Sequence, residues 1–224
     1  MSLPQHHYRI IKRPYTTGEL LADGIVHALA ILAGLIAFPL LLGYALQVAG
    51  VGMFAALSVY ALGFFLMFGF SLAYNMTPPS SVKWILRRFD HSMIYVMIAG
   101  TYTAIIVQFE NALWAWVVGL VVWGGALIGI AVKVFLPGRF DRLAILAYIL
   151  LGWVGVAAAV PVINALPDVS LWLLAAGGVI YVAGVAFYVW ESMVFQNAIW
   201  HLFVAVAAGL HFAAIALSVT QYAS

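Results

Sequence analysis

Long runs of apolar residues, separated by short polar stretches, divide most of the chain into seven segments. These segments cover about residues 21–45, 52–76, 90–109, 112–134, 141–161, 171–191 and 198–221. Each run is long enough for a membrane-spanning helix, which needs roughly 20 mostly apolar residues. The runs are continuously apolar rather than alternating, so the strands of a membrane barrel are not indicated. The pattern predicts an all-α membrane protein with seven transmembrane helices in one bundle.

The composition agrees with this pattern and excludes several other classes of protein. Of the 224 residues, 67% are hydrophobic and only 7% are charged, and the mean hydropathy is +1.12. A soluble domain typically has about 25% charged residues. The chain has no cysteine, which excludes a disulfide framework and a thiolate metal site. The net charge of +2 is small and scattered, so we expect no nucleic-acid partner.

All nine Lys and Arg residues fall on one side of the predicted bundle. Cytoplasmic loops are enriched in such residues, which places the N-terminus in the cytoplasm and the C-terminus outside. Residues 1–18 are therefore predicted to form a cytoplasmic basic tail, and residues 19–224 the transmembrane domain. We expect an integral protein of a bacterial inner (plasma) membrane. The nine residues are Arg9, Lys12, Arg13, Lys83, Arg87, Arg88, Lys133, Arg139 and Arg142.

Polar and ionisable side chains collect at the cytoplasmic ends of four predicted helices. Three pairs are spaced four residues apart, so the two members of each pair share one helix face. Taken singly, each residue has a structural explanation, such as a helix N-cap for Asp90. Taken together, they predict one polar pocket near the inner membrane surface. The set is Asp23, His27, Ser71, Asn75, Asp90, His91, Asn197 and His201.

Four stretches of the chain have a distinctive wording: Glu19-x-x-x-Asp23-x-x-x-His27, Ser71-x-x-x-Asn75, Phe89-Asp90-His91-Ser92 through Thr103, and His201 through Phe212. They resemble the hemolysin III family, which belongs with the progestin and adipoQ receptors. The resemblance covers nearly the whole chain and implies a seven-helix membrane protein. In this family, a Ser-x-x-x-His motif on the second helix and a His-x-x-x-His motif on the seventh resemble the zinc ligands of adiponectin receptors, and an acid on the third helix lies beside the metal-bound water.

Two ligand positions of the family pattern differ in this chain. Asn75 stands where the second-helix His belongs, and Asn197 stands where the first His of the seventh helix belongs, whereas His201 is retained. An amide oxygen suits calcium-like ions better than zinc, and catalytic zinc takes three N, S or carboxylate ligands. We therefore expect a degenerate site at these three positions, which binds zinc weakly or not at all.

A rearranged site, built from other members of the polar set, is the alternative to a lost one. Asp23, His27 and His91 are its further candidate binding residues, together with Asp90 and His201. The sequence alone leaves open whether these side chains converge on one point.

Three functions are consistent with this chain. The first is binding, signalling or membrane-lipid homeostasis, with a membrane lipid as the ligand. The second, implied by the resemblance, is a metal-dependent lipid amide hydrolase of the ceramidase type, in which Ser71 and Asp90 are the catalytic residues that orient water. The third is a pore or transporter with cytolytic action, which the family name prompts. Against the third, no predicted helix repeats charges along one face, as a wide aqueous path would require.

Overall fold

The computed structural model describes residues 14–223, and over this range the chain is helical with no strand. Most of the predicted basic tail, including Arg9, Lys12 and Arg13, lies outside the described residues. In chain order the helices are α1 (Thr17–Val48), α2 (Gly50–Met76), α3 (Ser81–Ile106), α4 (Ala112–Phe135), α5 (Asp141–Gly152), α6 (Val154–Ala157), α7 (Ala159–Ala165), α8 (Asp168–Val189) and α9 (Gln196–Thr220), and a short 3-10 turn over Gln221–Ala223 ends the chain.

Within residues 14–223, five helices are long and apolar enough to cross a membrane, namely α1, α2, α4, α8 and α9. The segments α5 to α7 make a sixth span if the bent unit is counted as one. Helix α3 is 26 residues long but falls outside this set, since its first half carries Lys83, Arg87, Arg88 and Asp90. The chain is thus an all-helical integral membrane protein with five or six candidate spans. The predicted seven spans and the predicted orientation of the termini stay predictions.

Helix α1 packs between α2 and α9, while α3 packs on α2 and α4, and α8 packs on α9. The beginnings of α1, α3 and α9 lie at the same end of the bundle as the end of α2. Helices α1 and α2 pack on each other across a one-residue connection, which places the beginning of α1 beside the end of α2, and two contacts join the other helix ends to these. The Phe195 N–H donates to Glu19 Oε1 at 3.0 Å, which joins the beginnings of α1 and α9. Lys83 Nζ donates to the Thr77 carbonyl at 2.8 Å, which joins the beginning of α3 to the end of α2. This end of the bundle carries the polar residues.

The first turn of α1 is fixed by a capping box. The Glu19 N–H donates to Thr16 Oγ1 at 3.3 Å, and the Thr16 N–H donates to Glu19 Oε2 at 2.9 Å. This reciprocal pairing satisfies backbone donors that a helix beginning leaves without an intrahelical partner. Glu19 therefore sets both where α1 begins and how it meets α9.

An aromatic cluster fills the bundle beyond the polar end. Phe38 is fully buried, and its ring centroid lies 5.2 Å from that of Tyr60, 5.2 Å from that of Phe64 and 5.1 Å from that of Phe212. Such edge-on and tilted contacts are favourable between aromatic rings. The cluster continues through Phe68, whose ring centroid lies 4.7 Å from that of Phe64 and 6.1 Å from that of His27. Aromatic side chains therefore pack directly against the polar end of the bundle.

The predicted continuous helix over 141–161 is wrong, because the structure breaks it into α5, α6 and α7, with a bend of 69° between α6 and α7. Tyr102 of α3 occupies the first break, between α5 and α6: its hydroxyl donates to the Gly152 carbonyl at 2.8 Å and accepts from the Gly155 N–H at 2.7 Å. Pro161 follows the second break, since it has no N–H and would clash with the carbonyl four residues earlier in a regular helix. Irregular backbone is tolerated at membrane depth when other groups satisfy it, and Tyr102 does so here.

The backbones of helices α2 and α3 come into direct contact at two glycines, one on each helix. A Cβ atom added at Gly63 would lie 3.0 Å from the Val96 carbonyl oxygen, and one at Gly100 would lie 3.0 Å from the Val59 carbonyl oxygen. Both obstacles are backbone atoms, which cannot rotate away. Small residues at such crossings let membrane helices approach closely.

We predict that Gly63→Ala and Gly100→Ala each destabilise the bundle by about 1–3 kcal/mol, the usual cost of overpacking. The measurement is the thermal unfolding midpoint in detergent. Gly69→Ala on the same helix α2 is the matched control, because a Cβ there meets nothing within 4 Å. A midpoint for Gly63→Ala equal to that of Gly69→Ala would contradict the close crossing.

Candidate functional site

Asp23 and His27 lie on one face of α1, and both are buried, with exposures of 2% and 0%. His27 Nδ1 lies 2.8 Å from the Asp23 carbonyl oxygen. A carbonyl oxygen only accepts hydrogen bonds, so Nδ1 carries the proton and Nε2 of a neutral ring carries the lone pair. The four-residue spacing thus turns both side chains towards the interior.

His201 joins α9 to two other helices. Its Nδ1 lies 2.6 Å from Asp23 Oδ1 on α1, and its Nε2 lies 3.3 Å from Ser71 Oγ on α2. Because an ionised carboxylate only accepts, Nδ1 donates to Asp23, and in a neutral ring Nε2 then accepts from the Ser71 hydroxyl. The His27 and His201 rings lie edge to face, with centroids 4.4 Å apart.

Ser71, Asn75 and Asn197 continue this network towards the end of the bundle. Asn75 Nδ2 donates to the Ser71 carbonyl at 2.9 Å, and Asn197 Nδ2 donates to Asn75 Oδ1 at 3.2 Å. The chain of hydrogen bonds therefore runs from Asp23 through His201, Ser71 and Asn75 to Asn197. We call these five side chains, together with His27 and Asp90, the polar pocket.

The inherited zinc positions do not fit a zinc ion. The Asn75 amide oxygen already accepts from Asn197, and both amide nitrogens are donors that cannot bind a cation. Only His201 of the three positions offers a ligand that zinc prefers. The two asparagines have become a hydrogen-bonded pair that joins α2 to α9.

Asp90 and His91 are neighbours on α3 but turn in different directions. The Asp90 carboxylate lies close enough to Ser71 and His201 to interact with both. The His91 ring instead lies between Asp90 and Asp141, with Nε2 3.8 Å from Asp90 Oδ2 and Nδ1 4.0 Å from Asp141 Oδ1. The structure thus brings Asp90 to the polar pocket, whereas His91 lies between the pocket and a second charged group.

This second group consists of Arg87, Lys133, Asp141 and the His91 ring. Asp141 Oδ2 lies 2.7 Å from Arg87 Nη2, and Asp141 Oδ1 lies 2.7 Å from Lys133 Nζ. In the sequence, Arg87 and Lys133 indicate only the cytoplasmic side of the membrane, and their pairing with Asp141 is not predicted. A signal was present, because Asp141 opens an apolar segment on the same predicted side as these cations.

Lys83 is a further buried residue whose role sequence reasoning missed. Its ammonium group donates to the carbonyls of Tyr74 and Thr77, each at 2.8 Å, and lies over the Tyr74 ring at 4.7 Å from the centroid. It satisfies carbonyls that the end of α2 leaves without an intrahelical partner. Lys83 thereby holds the end of α2, and with it Asn75, against α3.

In the part of the chain that the structure describes, Asp23, His27 and His201 form a group that could hold a metal ion. Each offers one ligand atom, and these atoms lie within 4.8 Å of one another. One carboxylate and two imidazoles are a ligand set found in zinc enzymes. Of the residues that the sequence offers for a rearranged site, the structure thus brings together Asp23 and His27 of α1 and His201 of α9.

Comparison with known proteins finds similarity over most of the chain. The family model described as "Haemolysin-III related" matches residues 19–212. "Hemolysin-3" of Bacillus cereus is 32% identical over 92% of this chain and 94% of its own length, and "Hemolysin-3 homolog" of Bacillus subtilis (strain 168) is 31% identical over 85% and 89%. "Monocyte to macrophage differentiation factor" of Homo sapiens is 31% identical over 60% of this chain and 56% of its own length. No solved structure matches.

We predict that Asp141→Asn destabilises the protein by about 2 kcal/mol, because it leaves the buried Lys133 and Arg87 without their anion. Breaking a fully buried pair costs roughly 3–5 kcal/mol, and Asp141 is about a third exposed, which lowers the effect. The measurement is the unfolding midpoint in detergent, compared with Glu110→Gln, which removes an exposed acid. Equal midpoints for the two variants would show that the charged group does not stabilise the fold.

Proposed function

Because the chain belongs to the haemolysin-III related family of integral membrane proteins, we propose that it acts in membrane-lipid homeostasis or signalling by binding a lipid in the polar pocket. The proposal rests on one observation. Polar side chains of α1, α2 and α9, most of them buried, form a connected hydrogen-bond network at one end of the bundle, and Asp90 of α3 lies beside it. Ionisable groups at such depth are costly and mark sites of function by default.

Two openings lie beside α1. A cleft of about 10 Å³ between α1 and α9 reaches Asp23 and Asn197, and it has room for about one water-sized group. On another side of α1, an apolar groove runs past Leu20, Leu21, Gly24, Ile25, Ala28 and Met76. We infer that the groove takes an acyl chain and that a single hydroxyl or amide group of the lipid reaches the pocket through the cleft.

Binding is favoured over turnover by the state of the inherited ligand positions. Asn75 and Asn197 are engaged with each other, so the three-histidine centre of related receptors has no equivalent here. A lipid hydroxyl or amide could instead exchange hydrogen bonds with these two side chains. We further propose the plasma membrane of a bacterium as the location, since two relatives that match over most of their own length are Bacillus proteins.

The second candidate is a metal-dependent lipid amide hydrolase, and the group of Asp23, His27 and His201 favours it. A metal bound there would supply a Lewis acid that polarises water or a carbonyl group. Ser71 contacts His201, and Asp90 lies close to both. In this reading Ser71 orients the reacting groups by hydrogen bonding, and Asp90 accepts or holds a proton beside them.

A fluorescent short-chain ceramide tests both candidates with the full chain in detergent. We expect saturable binding by the wild type, followed by fluorescence anisotropy, with no release of fluorescent fatty acid. Asn197→Leu removes one end of the hydrogen-bond network and should weaken binding at least tenfold, or about 1.4 kcal/mol. Asn164→Leu, an exposed position on α7, is the control and should bind as the wild type does.

Equal binding by Asn197→Leu and the wild type would contradict the proposed pocket. Release of fatty acid by the wild type that Asp90→Asn abolishes would establish the hydrolase instead. Leakage of a trapped dye from vesicles containing the protein, unchanged by Asn197→Leu, would favour the pore that the sequence analysis considered third.

A further inference from the structure

The polar pocket contains two buried atoms, Asp23 Oδ2 and His27 Nε2, that have no hydrogen-bond partner among the residues the structure describes. Both residues are at least 98% buried, with exposures of 2% and 0%. Buried polar side chains normally have a partner, so an exception calls for an explanation. Two exceptions four residues apart on one helix face point to a shared ligand that both atoms bind.

The chemistry of these two atoms specifies what kind of ligand this is. In a neutral ring, His27 Nε2 carries a lone pair, because Nδ1 donates its proton to the Asp23 carbonyl. Asp23 Oδ2 is an acceptor as well, because Oδ1 takes the His201 proton. A ligand that binds two acceptors in an apolar surrounding is a donor or a cation. The Asp23 carboxylate favours the cation, since a buried negative charge is costly without a positive partner.

His201 completes a set of three. It lies within hydrogen-bonding distance of Asp23, and its ring is 4.4 Å from that of His27, measured between centroids. The ligand atoms of the three residues lie within 4.8 Å of one another. Ligands of one zinc ion are each about 2 Å from the metal, so a small shift of side chains would close this set around an ion.

Two details of the surroundings match known metal sites. A histidine that binds a metal usually donates its other N–H to a backbone carbonyl or a carboxylate, which fixes the ring. His27 donates to the Asp23 carbonyl in this way. In addition, Asp90 lies near Asp23 and His201, so a second carboxylate is present to balance a divalent charge.

We propose that Asp23, His27 and His201 form a binding site for a divalent transition-metal ion of the zinc type, which replaces the inherited site at Asn75 and Asn197. His201 gives up one of its two hydrogen bonds, to Asp23 or to Ser71, when it binds the ion. The ion joins α1 to α9 at the polar end of the bundle. This inference goes beyond the proposed lipid binding and holds or fails independently of it, because its test contains no lipid probe.

The test measures zinc bound to the full chain after any purification tag has been removed. Chelator-treated protein is incubated with zinc chloride and desalted, and its zinc content is measured by inductively coupled plasma mass spectrometry. The wild type should retain about one zinc per chain. Asp23→Asn and His27→Ala should each retain less than a fifth of that amount. The matched control is His211→Ala, which removes a histidine of α9 that lies outside the pocket and contacts the Leu174 carbonyl.

A second readout separates loss of the site from loss of the fold. Zinc should raise the unfolding midpoint of the wild type and of His211→Ala by roughly 5 °C or more, because a ligand that binds only the folded state stabilises it. The midpoints of Asp23→Asn and His27→Ala should not respond. A wild type that retains no zinc would overturn the proposal. So would zinc that persists in both variants but is lost in Asn75→Leu, because that result assigns the metal to the inherited positions.

Discussion

The hydrogen bond between Asp23 and His201 is the interaction on which the polar end of this bundle depends. His201 Nδ1 and Asp23 Oδ1 lie 2.6 Å apart, and the bond joins α9 to α1 through two residues that are 178 positions apart in sequence. Both side chains are buried, and burying either polar group without a hydrogen-bond partner would cost free energy. The bond fixes the tautomer of His201 and thereby directs the other ring nitrogen to Ser71. From Ser71 the network continues to Asn75 on α2 and then to Asn197 on α9.

The surrounding fold keeps this interaction in place by means that are largely independent of it. The Glu19 carboxylate joins the beginnings of α1 and α9, because it accepts from the backbone N–H groups of Thr16 and Phe195. Lys83 holds the end of α2 against α3. The aromatic cluster around Phe38 packs α1 against α2 and α9 further along the bundle. Polar side chains held in such an apolar frame interact more strongly than they would in water, and an unpaired one costs more.

The helical architecture and the pairing of side chains on one helix face could be predicted from the sequence, because both follow from local spacing. Apolar runs of helix length predicted α1, α2, α4, α8 and α9, and four-residue spacing predicted that Asp23 and His27 face one way. Contacts between distant segments could not be predicted. The break between α5 and α6 is filled by Tyr102, which reaches it from α3. The His91 ring lies 4.0 Å from Asp141 of α5, measured between His91 Nδ1 and Asp141 Oδ1. The replacement of histidine by asparagine at two positions indicated a lost zinc site, but only the structure shows the partners that the amides adopted.

A double-mutant cycle between Asp23 and His201 tests most directly whether this bond organises the polar end. The free energy of unfolding in detergent is measured for the wild type, Asp23→Ala, His201→Ala and the double variant, all treated with chelator so that no metal contributes. Residues in direct contact within one network show coupling energies of about 0.5–3 kcal/mol, and burial places this pair in the upper half of that range. We predict a coupling of about 1.5 kcal/mol or more. Effects of the two single changes that add to within about 0.5 kcal/mol would contradict the account, because they would show that the two side chains act independently.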